Sequence, residues 1–231
     1  YNPCPTNGSP CKILPFGDSI TEGVKSSDGG GYRSQLFKLI VAANQKVTFV
    51  GSLSAGPTTV SGQSFPRNHE GHSGWTIAPG FSEFGSGGIA SLVPSPALNG
   101  APHMILLHIG ANDVFPSGKD MAARLEALID KIAQNAPNAL IVLAQHTPIG
   151  TTNGGHTAAQ VAAANAAQQL YNSMMPGIIQ AHNAKGQHLI GVDMSKMPLS
   201  DLTPSSMHPN PQGYAYMGDV WYAGIKDLLP K

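Results

Sequence analysis

Short apolar runs alternate with longer amphipathic stretches along most of the chain. The apolar runs predict five strands, over Lys12–Gly17, Lys46–Gly51, His103–Ile109, Ala139–Ala144 and His188–Asp193. Apolar residues at helical spacing predict four helices, over Tyr32–Asn44, Lys119–Gln134, Thr157–Lys185 and Pro211–Leu229. We expect Pro176 to break or kink the third of these helices, because proline has no backbone N–H to continue the hydrogen-bond ladder.

Strands that alternate with helices indicate a parallel sheet covered by helices on both faces. We therefore expect residues 1–231 to form a single domain, a three-layer α/β/α sandwich with a five-stranded parallel sheet in flavodoxin-like order. Two long segments between the predicted elements, Ser52–Ala78 and Met194–Asn210, lack this periodicity. Loops of such length in a compact domain usually carry function.

Three polar residues follow predicted strands or lie in these loops at the same edge of the sheet. Ser19 comes directly after the first strand, Asn112 after the third, and His208 within the last long loop. Ligands of such sheets bind at the carboxyl ends of the strands. A serine hydroxyl is a poor nucleophile unless a base accepts its proton. The pattern therefore predicts Ser19 as nucleophile and His208 as its general base, although either residue alone is more often a turn or loop residue.

A serine nucleophile needs hydrogen-bond donors for the oxyanion that its attack creates. The Asn112 side chain and the backbone N–H of Gly74, in Ser73-Gly74-Trp75, are the candidate donors. The N–H groups that follow Ser19 also point outward at a helix N-terminus. His72 and Trp75 flank Gly74 and are candidates for substrate binding, with loop packing as the alternative for Trp75.

These segments resemble the conserved blocks of the SGNH (GDSL) hydrolases, from about Lys12 to Leu229. The blocks are, in chain order, Gly17-Asp18-Ser19, Gly74, Gly110-Ala111-Asn112-Asp113 and His208-Pro209. The resemblance implies that Ser19 is the nucleophile and that the Ser19 N–H, the Gly74 N–H and the Asn112 side chain form the oxyanion hole.

Three longer segments are similar to carbohydrate esterase family three, a group known for acetyl xylan esterases. They are Ile13–Thr21, Gly30–Arg33 and His69–Trp75. This finer resemblance implies an acetyl ester of a plant polysaccharide such as xylan as substrate.

The chain departs from the SGNH pattern beside the histidine. The family usually has an aspartate three residues before it, and this position is Ser205 here. Asp201 could fold back to Nδ1 of His208, or a backbone carbonyl near Ser205 could accept the Nδ1 proton in a Ser–His dyad. The third alternative is a weakened enzyme. We favour the dyad, because a neutral acceptor still fixes the imidazole tautomer.

The composition of the chain indicates in which compartment the protein acts and which kinds of partner it binds. Charged residues make up only 11% of the chain, and 13 basic residues balance 13 acidic ones. No basic run or membrane-length apolar stretch occurs, which argues against nucleic acid and membrane partners. Cys4 and Cys11 flank a segment with the sequon Asn7-Gly8-Ser9, so we expect a disulfide and a secreted protein, with two free thiols as the alternative. Because the chain starts at Tyr1 and not Met, we also expect a segment to have been removed upstream.

The sequence thus predicts a secreted, monomeric serine esterase that needs no cofactor and no metal and that acts on small acyl esters or acetylated polysaccharide. Two alternatives stay open. The first is a lysophospholipase or thioesterase on the same scaffold, which would need a long apolar groove. The second is a catalytically weak carbohydrate-binding protein, suggested by Ser205.

Overall fold

The computed structural model describes residues 1–115, 118–204 and 206–231. The strands are β1 (Cys11–Asp18), β2 (Val47–Phe49), β3 (Leu53–Ser54), β4 (Thr59–Val60), β5 (Gln63–Ser64), β6 (Asn68–His72), β7 (Met104–His108), β8 (Leu140–Gln145) and β9 (Leu189–Asp193). The α-helices are α1 (Ser19–Glu22), α2 (Tyr32–Ala42), α3 (Met121–Asn135), α4 (Ala158–Ala184) and α5 (Pro211–Ile225). Short 3₁₀ helices lie at Ile89–Leu92, Leu199–Asp201 and Lys226–Leu228.

The five strands expected from the apolar runs are all present and pair in parallel. Their order is β2-β1-β7-β8-β9, which is the flavodoxin-like order predicted from the sequence. The two faces are covered by different helices, as β9 shows. A Cβ at Gly191 would lie 2.8 Å from Ile179 of α4, whereas Val192, on the opposite face, lies against Gly224 of α5. The three-layer α/β/α prediction is confirmed.

The sheet has seven strands and not the predicted five. Within the segment expected to be a loop, β6 pairs in parallel with the second half of β1, beside β2, which pairs with the first half. The two-residue β3 pairs with β6 in antiparallel orientation. The sequence of β6, Asn-His-Glu-Gly-His, has no apolar run, so hydrophobic periodicity does not reveal it. Several of its polar atoms are instead paired within the strand: His69 Nδ1 accepts the Gly71 N–H at 3.0 Å, and His72 hydrogen-bonds Glu70 at 2.8 Å.

Of the two outcomes expected at Pro176, a break or a kink, the break is wrong, because α4 continues through this residue. A proline leaves the carbonyl four residues earlier without its helical donor. That carbonyl belongs to Asn172, and it accepts a hydrogen bond from the side-chain amide of Gln145 at 2.9 Å. The helix therefore loses one internal bond without leaving a buried acceptor unpaired.

Cys4 and Cys11 form the predicted disulfide, which ties the N-terminal arm to the first residue of β1. The apolar side chains of β1, β7 and β8 are buried, which accounts for the clear sequence signal of these strands. Among the described helices, none combines the length and apolarity that crossing a membrane requires.

Candidate active site

Ser19 lies at a tight junction between β1 and α1. The Asp18 carboxylate caps the helix by accepting the Ile20 N–H at 2.9 Å, and burial raises the pKa of Asp18 to about 7. A Cβ at Gly17 would lie 2.6 Å from Thr21 Oγ1 of α1, and one at Gly71 would lie 2.2 Å from the Glu22 nitrogen. Glycine at both positions therefore lets α1 pack directly on the sheet and holds Ser19 at its rim.

The imidazole of His208 meets this serine although the two residues are 189 positions apart. His208 Nε2 lies 2.8 Å from Ser19 Oγ. The loop that carries the histidine is itself held by backbone bonds: Thr203 N–H donates to the His208 carbonyl, and Asn210 N–H donates to that of Asp201, both at 2.8 Å. The predicted pair is therefore brought into hydrogen-bonding geometry.

The other ring nitrogen of His208 faces a hydroxyl. Nδ1 lies 2.8 Å from Ser206 Oγ, which also accepts the backbone N–H of His208 at 3.1 Å. When Nδ1 carries the proton and donates it to Ser206, Nε2 is left as the acceptor for the Ser19 hydroxyl. Burial, and then the charge of Lys25, lower the pKa of His208, so the neutral form is favoured.

This arrangement corrects the candidates for orienting His208. Asp201 does not fold back to Nδ1: its carboxylate accepts the Ser200 hydroxyl at 3.3 Å. Among the described residues, the group that faces Nδ1 is the Ser206 side chain and not a backbone carbonyl. Ser205, the position of the usual family aspartate, lies outside the described residues. Sequence reasoning missed Ser206, although a hydroxyl two residues before a loop residue commonly accepts that residue's N–H.

The candidate oxyanion donors lie on two neighbouring loops. Asn112 Nδ2 donates to the Trp75 carbonyl at 2.8 Å, which fixes the amide and leaves its second N–H for a ligand. Gly74 has a φ of +77°, a left-handed conformation that favours glycine, and its N–H donates to none of the described residues. Ser73 N–H donates to the Glu22 carboxylate at 3.1 Å, which ties this loop to α1.

A buried ion pair between Asp113 and Arg124 connects the segment after Gly74 to the segment that carries Asn112. The Asp113 carboxylate accepts the Ile77 N–H at 3.2 Å and pairs with Arg124 of α3. Burial raises the pKa of Asp113, and the Arg124 charge opposes that rise. Because one carboxylate holds both loops, the positions of Gly74 and Asn112 relative to each other are fixed.

His72 and Trp75, the candidates for substrate binding, contact each other beside Gly74. Their ring centroids are 4.7 Å apart, and a Cβ at Gly87 would lie 2.9 Å from the Trp75 ring. Trp75 thus packs on its own loop. His72 Nε2 hydrogen-bonds the fully buried carboxylate of Glu70 at 2.8 Å. Glu70 is a second residue that sequence reasoning missed, although period-two spacing in a strand places 70 and 72 on one face.

Within the described residues, no three His, Cys, Asp or Glu side chains come together as a metal-binding group. That the site works without a metal or a cofactor stays a prediction.

A parallel α/β/α sheet with a serine–histidine pair and converging N–H donors at its rim defines a serine hydrolase suited to acyl transfer. Residues 16–216 match the GDSL-like Lipase/Acylhydrolase family. The chain belongs to this family, and its class is that of the carboxylic ester hydrolases.

Individual proteins agree with this assignment. The chain is 32% identical to a "Multidomain esterase" of Ruminococcus flavefaciens over 94% of its own length, but it spans only 29% of that protein. Its fold superposes on a "Clostridium thermocellum family 3 carbohydrate esterase" with a TM-score of 0.76 and 31% identity, covering 95% of this chain and 97% of that one. A carbohydrate esterase family 3 structure from Talaromyces cellulolyticus, 21% identical with a TM-score of 0.70, shares the fold over 94% of this chain and 97% of that one.

Proposed function

We propose that this protein is a secreted esterase that removes acetyl groups from a plant polysaccharide such as xylan, with Ser19 as nucleophile and His208 as general base. The observation that carries the proposal is the 2.8 Å contact between Ser19 Oγ and His208 Nε2, at the edge of the sheet where the Gly74 N–H and the second N–H of the Asn112 amide donate to none of the described residues.

The reaction proceeds in two halves. His208 Nε2 takes the Ser19 proton while Oγ attacks the acetyl carbonyl, and the Ser19 N–H, the Gly74 N–H and the Asn112 amide hold the oxyanion. Each such donor contributes about 3 kcal/mol to transition-state stabilisation. The tetrahedral intermediate collapses as His208 gives its proton to the departing sugar oxygen, which leaves an acetyl-serine. A water deprotonated by His208 then releases acetate and restores Ser19.

The preference for an acetyl group rests on relatives and on local packing. The family 3 carbohydrate esterase at 31% identity supports an ester carried by a carbohydrate. Three residues after Asn112, the Phe115 side chain is buried and its ring is tilted against that of His156, with centroids 4.1 Å apart, and His156 in turn bonds Glu83 at 3.0 Å. This packing on the segment that carries Asn112 supports a small acyl group. The Cys4–Cys11 disulfide supports an extracellular location.

A lipid-directed reaction is the second candidate, because the described part of the molecule contains an apolar groove. The groove has a volume of about 510 Å³, lies between α3 and α4, and is lined by Met121, Leu170 and Met174 among others. Neither Ser19 nor His208 lines it. A long acyl chain would therefore have to leave the oxyanion site to reach this groove.

A series of nitrophenyl esters from C2 to C8 distinguishes the two candidates. We expect the highest kcat/KM with the acetate, and release of acetate from acetylated xylan. A preference for C8 over C2 would reject the acetyl specificity and favour the groove. Ser19→Ala should abolish turnover, whereas Ser173→Ala, on the exposed face of α4, should leave it unchanged.

Covalent labelling tests the third alternative, a catalytically weak carbohydrate-binding protein. A fluorophosphonate should modify Ser19 and stop ester hydrolysis. Failure of the reagent to label the native protein, together with absent turnover, would favour the binding protein.

A further inference from the structure

The Glu70–His72 pair is a carboxylate–imidazole unit beside the candidate active site, and the proposed acyl transfer does not use it. Glu70 is fully buried, and its two oxygens have separate partners. Oε2 lies 2.8 Å from His72 Nε2, and Oε1 accepts the backbone N–H of Ser52. Burial raises the pKa of Glu70, but hydrogen bonds from His72 and Ser52 outweigh it and hold that pKa below the usual value.

The contact with Glu70 determines which ring nitrogen of a neutral His72 carries the proton and which one has a free lone pair. A carboxylate can only accept, so a neutral His72 carries its proton on Nε2 and leaves Nδ1 as an acceptor. Nδ1 bonds to none of the described residues, and the side chain keeps 15% of its surface exposed. In the neutral ring, Nδ1 is therefore free to accept a hydrogen bond from a ligand but has no proton to donate.

The unit lies next to the reacting groups. His72 is in register with Asp18, the residue before the nucleophile, and only Ser73 separates it from Gly74. Its ring packs at 4.7 Å against Trp75, whose carbonyl holds the Asn112 amide. An ester held at Ser19 would therefore bring its neighbouring groups close to this acceptor.

We propose that Nδ1 of the neutral His72 ring accepts a hydrogen bond from a free hydroxyl of the esterified sugar, and that Glu70 is the positioning residue that places the ring proton on Nε2. The inference rests on the proposed function and deepens it, since it assigns a contact that distinguishes a polyol ester from a simple ester.

Glu70→Gln should exchange the donor and acceptor nitrogens of His72, while the side chain at position 70 keeps its size and shape. The Ser52 N–H requires an acceptor, so the glutamine must turn its oxygen to Ser52 and its NH₂ to His72. Nε2 then becomes the acceptor and Nδ1 carries the proton, which opposes a hydroxyl donor. His72→Gln is the complementary variant, because its amide can still donate to Glu70 but it offers no Nδ1.

The measurement is the ratio of kcat/KM for an acetylated xylooligosaccharide to kcat/KM for 4-nitrophenyl acetate, at pH 8. We expect both variants to lower this ratio about tenfold, the equivalent of one hydrogen bond of about 1.4 kcal/mol. Glu126→Gln, on the exposed face of α3, is the matched control and should leave the ratio unchanged.

A loss that is equal for both substrates would show a merely structural role and overturn the contact. Histidine ¹⁵N NMR, assigned with His72→Gln, adds a readout independent of turnover. It should show the His72 proton on Nε2 in the native protein and on Nδ1 in Glu70→Gln, and a native proton on Nδ1 would also overturn the proposal. If the native protein hydrolyses neither ester, the proposed function itself fails and this inference with it.

Discussion

A neutral hydroxyl, that of Ser206, faces Nδ1 of His208 at 2.8 Å. A hydroxyl can accept the Nδ1 proton of a neutral imidazole as a carboxylate does, but unlike a carboxylate it can also donate. It differs once the imidazole has taken the serine proton, because it brings no negative charge to the resulting imidazolium. We therefore expect orientation to be preserved at this site and charge stabilisation to be weak.

Removal of this hydroxyl tests its role. Ser206→Ala should lower kcat for 4-nitrophenyl acetate by about ten- to a hundredfold. That is less than the roughly 10⁴-fold loss that follows when a triad carboxylate is replaced by an amide, since Ser206 supplies no charge to lose. Steady-state kinetics beside Ser173→Ala measure the effect, and an unchanged kcat in Ser206→Ala would show that something else orients the ring.

The pH dependence of hydrolysis reports the protonation of His208. Burial and the charge of Lys25 lower its pKa, so kcat/KM should rise through an acidic limb whose midpoint lies below the ordinary histidine value of 6.5. Lys25→Gln removes one of the two causes and should move that limb to higher pH. Lys185→Gln is the control, because it also removes one lysine charge but does so just beyond the C-terminus of α4, at the opposite edge of the sheet. It should leave the acidic limb in place. A limb that does not move in Lys25→Gln would contradict this account.

At the scale of elements, the junction of β1, α1 and β6 depends on glycines that leave no room for a side chain. Gly17→Ala would place Cβ 2.0 Å from a backbone oxygen of β7 and 2.6 Å from Thr21 Oγ1. Since backbone cannot move as a side-chain end can, we expect a loss of about 3 kcal/mol in unfolding free energy and a lower esterase rate.

Gly177→Ala is the opposite case on α4. An added Cβ there meets no atom within 4 Å, and alanine is the better helix former. This variant should raise the unfolding free energy by about 0.5–1 kcal/mol. Urea unfolding of Gly17→Ala, Gly177→Ala and the native protein measures the two changes in unfolding free energy. Equal effects on stability would mean that the close packing around Gly17 does not control the junction.

The elements also show why sequence reasoning succeeds in one part of the sheet and fails in another. β7 and β8 are buried on both faces and read as continuous apolar runs, so their place in a parallel sheet is predictable. β6 is buried at its centre as well, but with the polar residues His69 and Glu70, and one partner of the Glu70 carboxylate, Ser52, lies outside the strand. Hydrophobic periodicity cannot detect burial of that kind.

Sequence reasoning likewise predicts one part of the candidate site and fails for another part. Strand order places Ser19 and Asn112 at one edge of the sheet, and the structure brings His208 to them. What faces the second ring nitrogen depends on loop dihedrals, which local patterns do not determine, so Ser206 could not be separated from the alternatives. Spacing alone indicates the Glu70–His72 contact, but it does not reveal Ser52, the other partner of Glu70, which lies 18 residues away.

At the scale of the whole molecule, buried ionisable groups act in opposite directions on acid stability. His108 and His146 lie in the core with ring centroids 4.3 Å apart, and burial lowers the pKa of His108 well below normal and that of His146 to about 4. The unfolded chain then binds more protons as the pH falls below 6.5, so these residues remove stability. Asp18, with its pKa raised to about 7, binds its proton in the native state and adds stability over the same range.

A comparison of native protein with His108→Leu isolates one of these opposing effects, because the Asp18 contribution is the same in both. Neither ring nitrogen of His108 bonds to a described residue, so leucine of similar volume loses no hydrogen bond there. At pH 8 the two proteins should differ little. Between pH 6 and 4 the variant should gain up to about 1.4 kcal/mol per pH unit relative to the native protein, the linkage of one proton. Urea unfolding across this range gives the two slopes, and parallel slopes would mean that His108 is protonated in the folded core and that its burial does not limit acid stability.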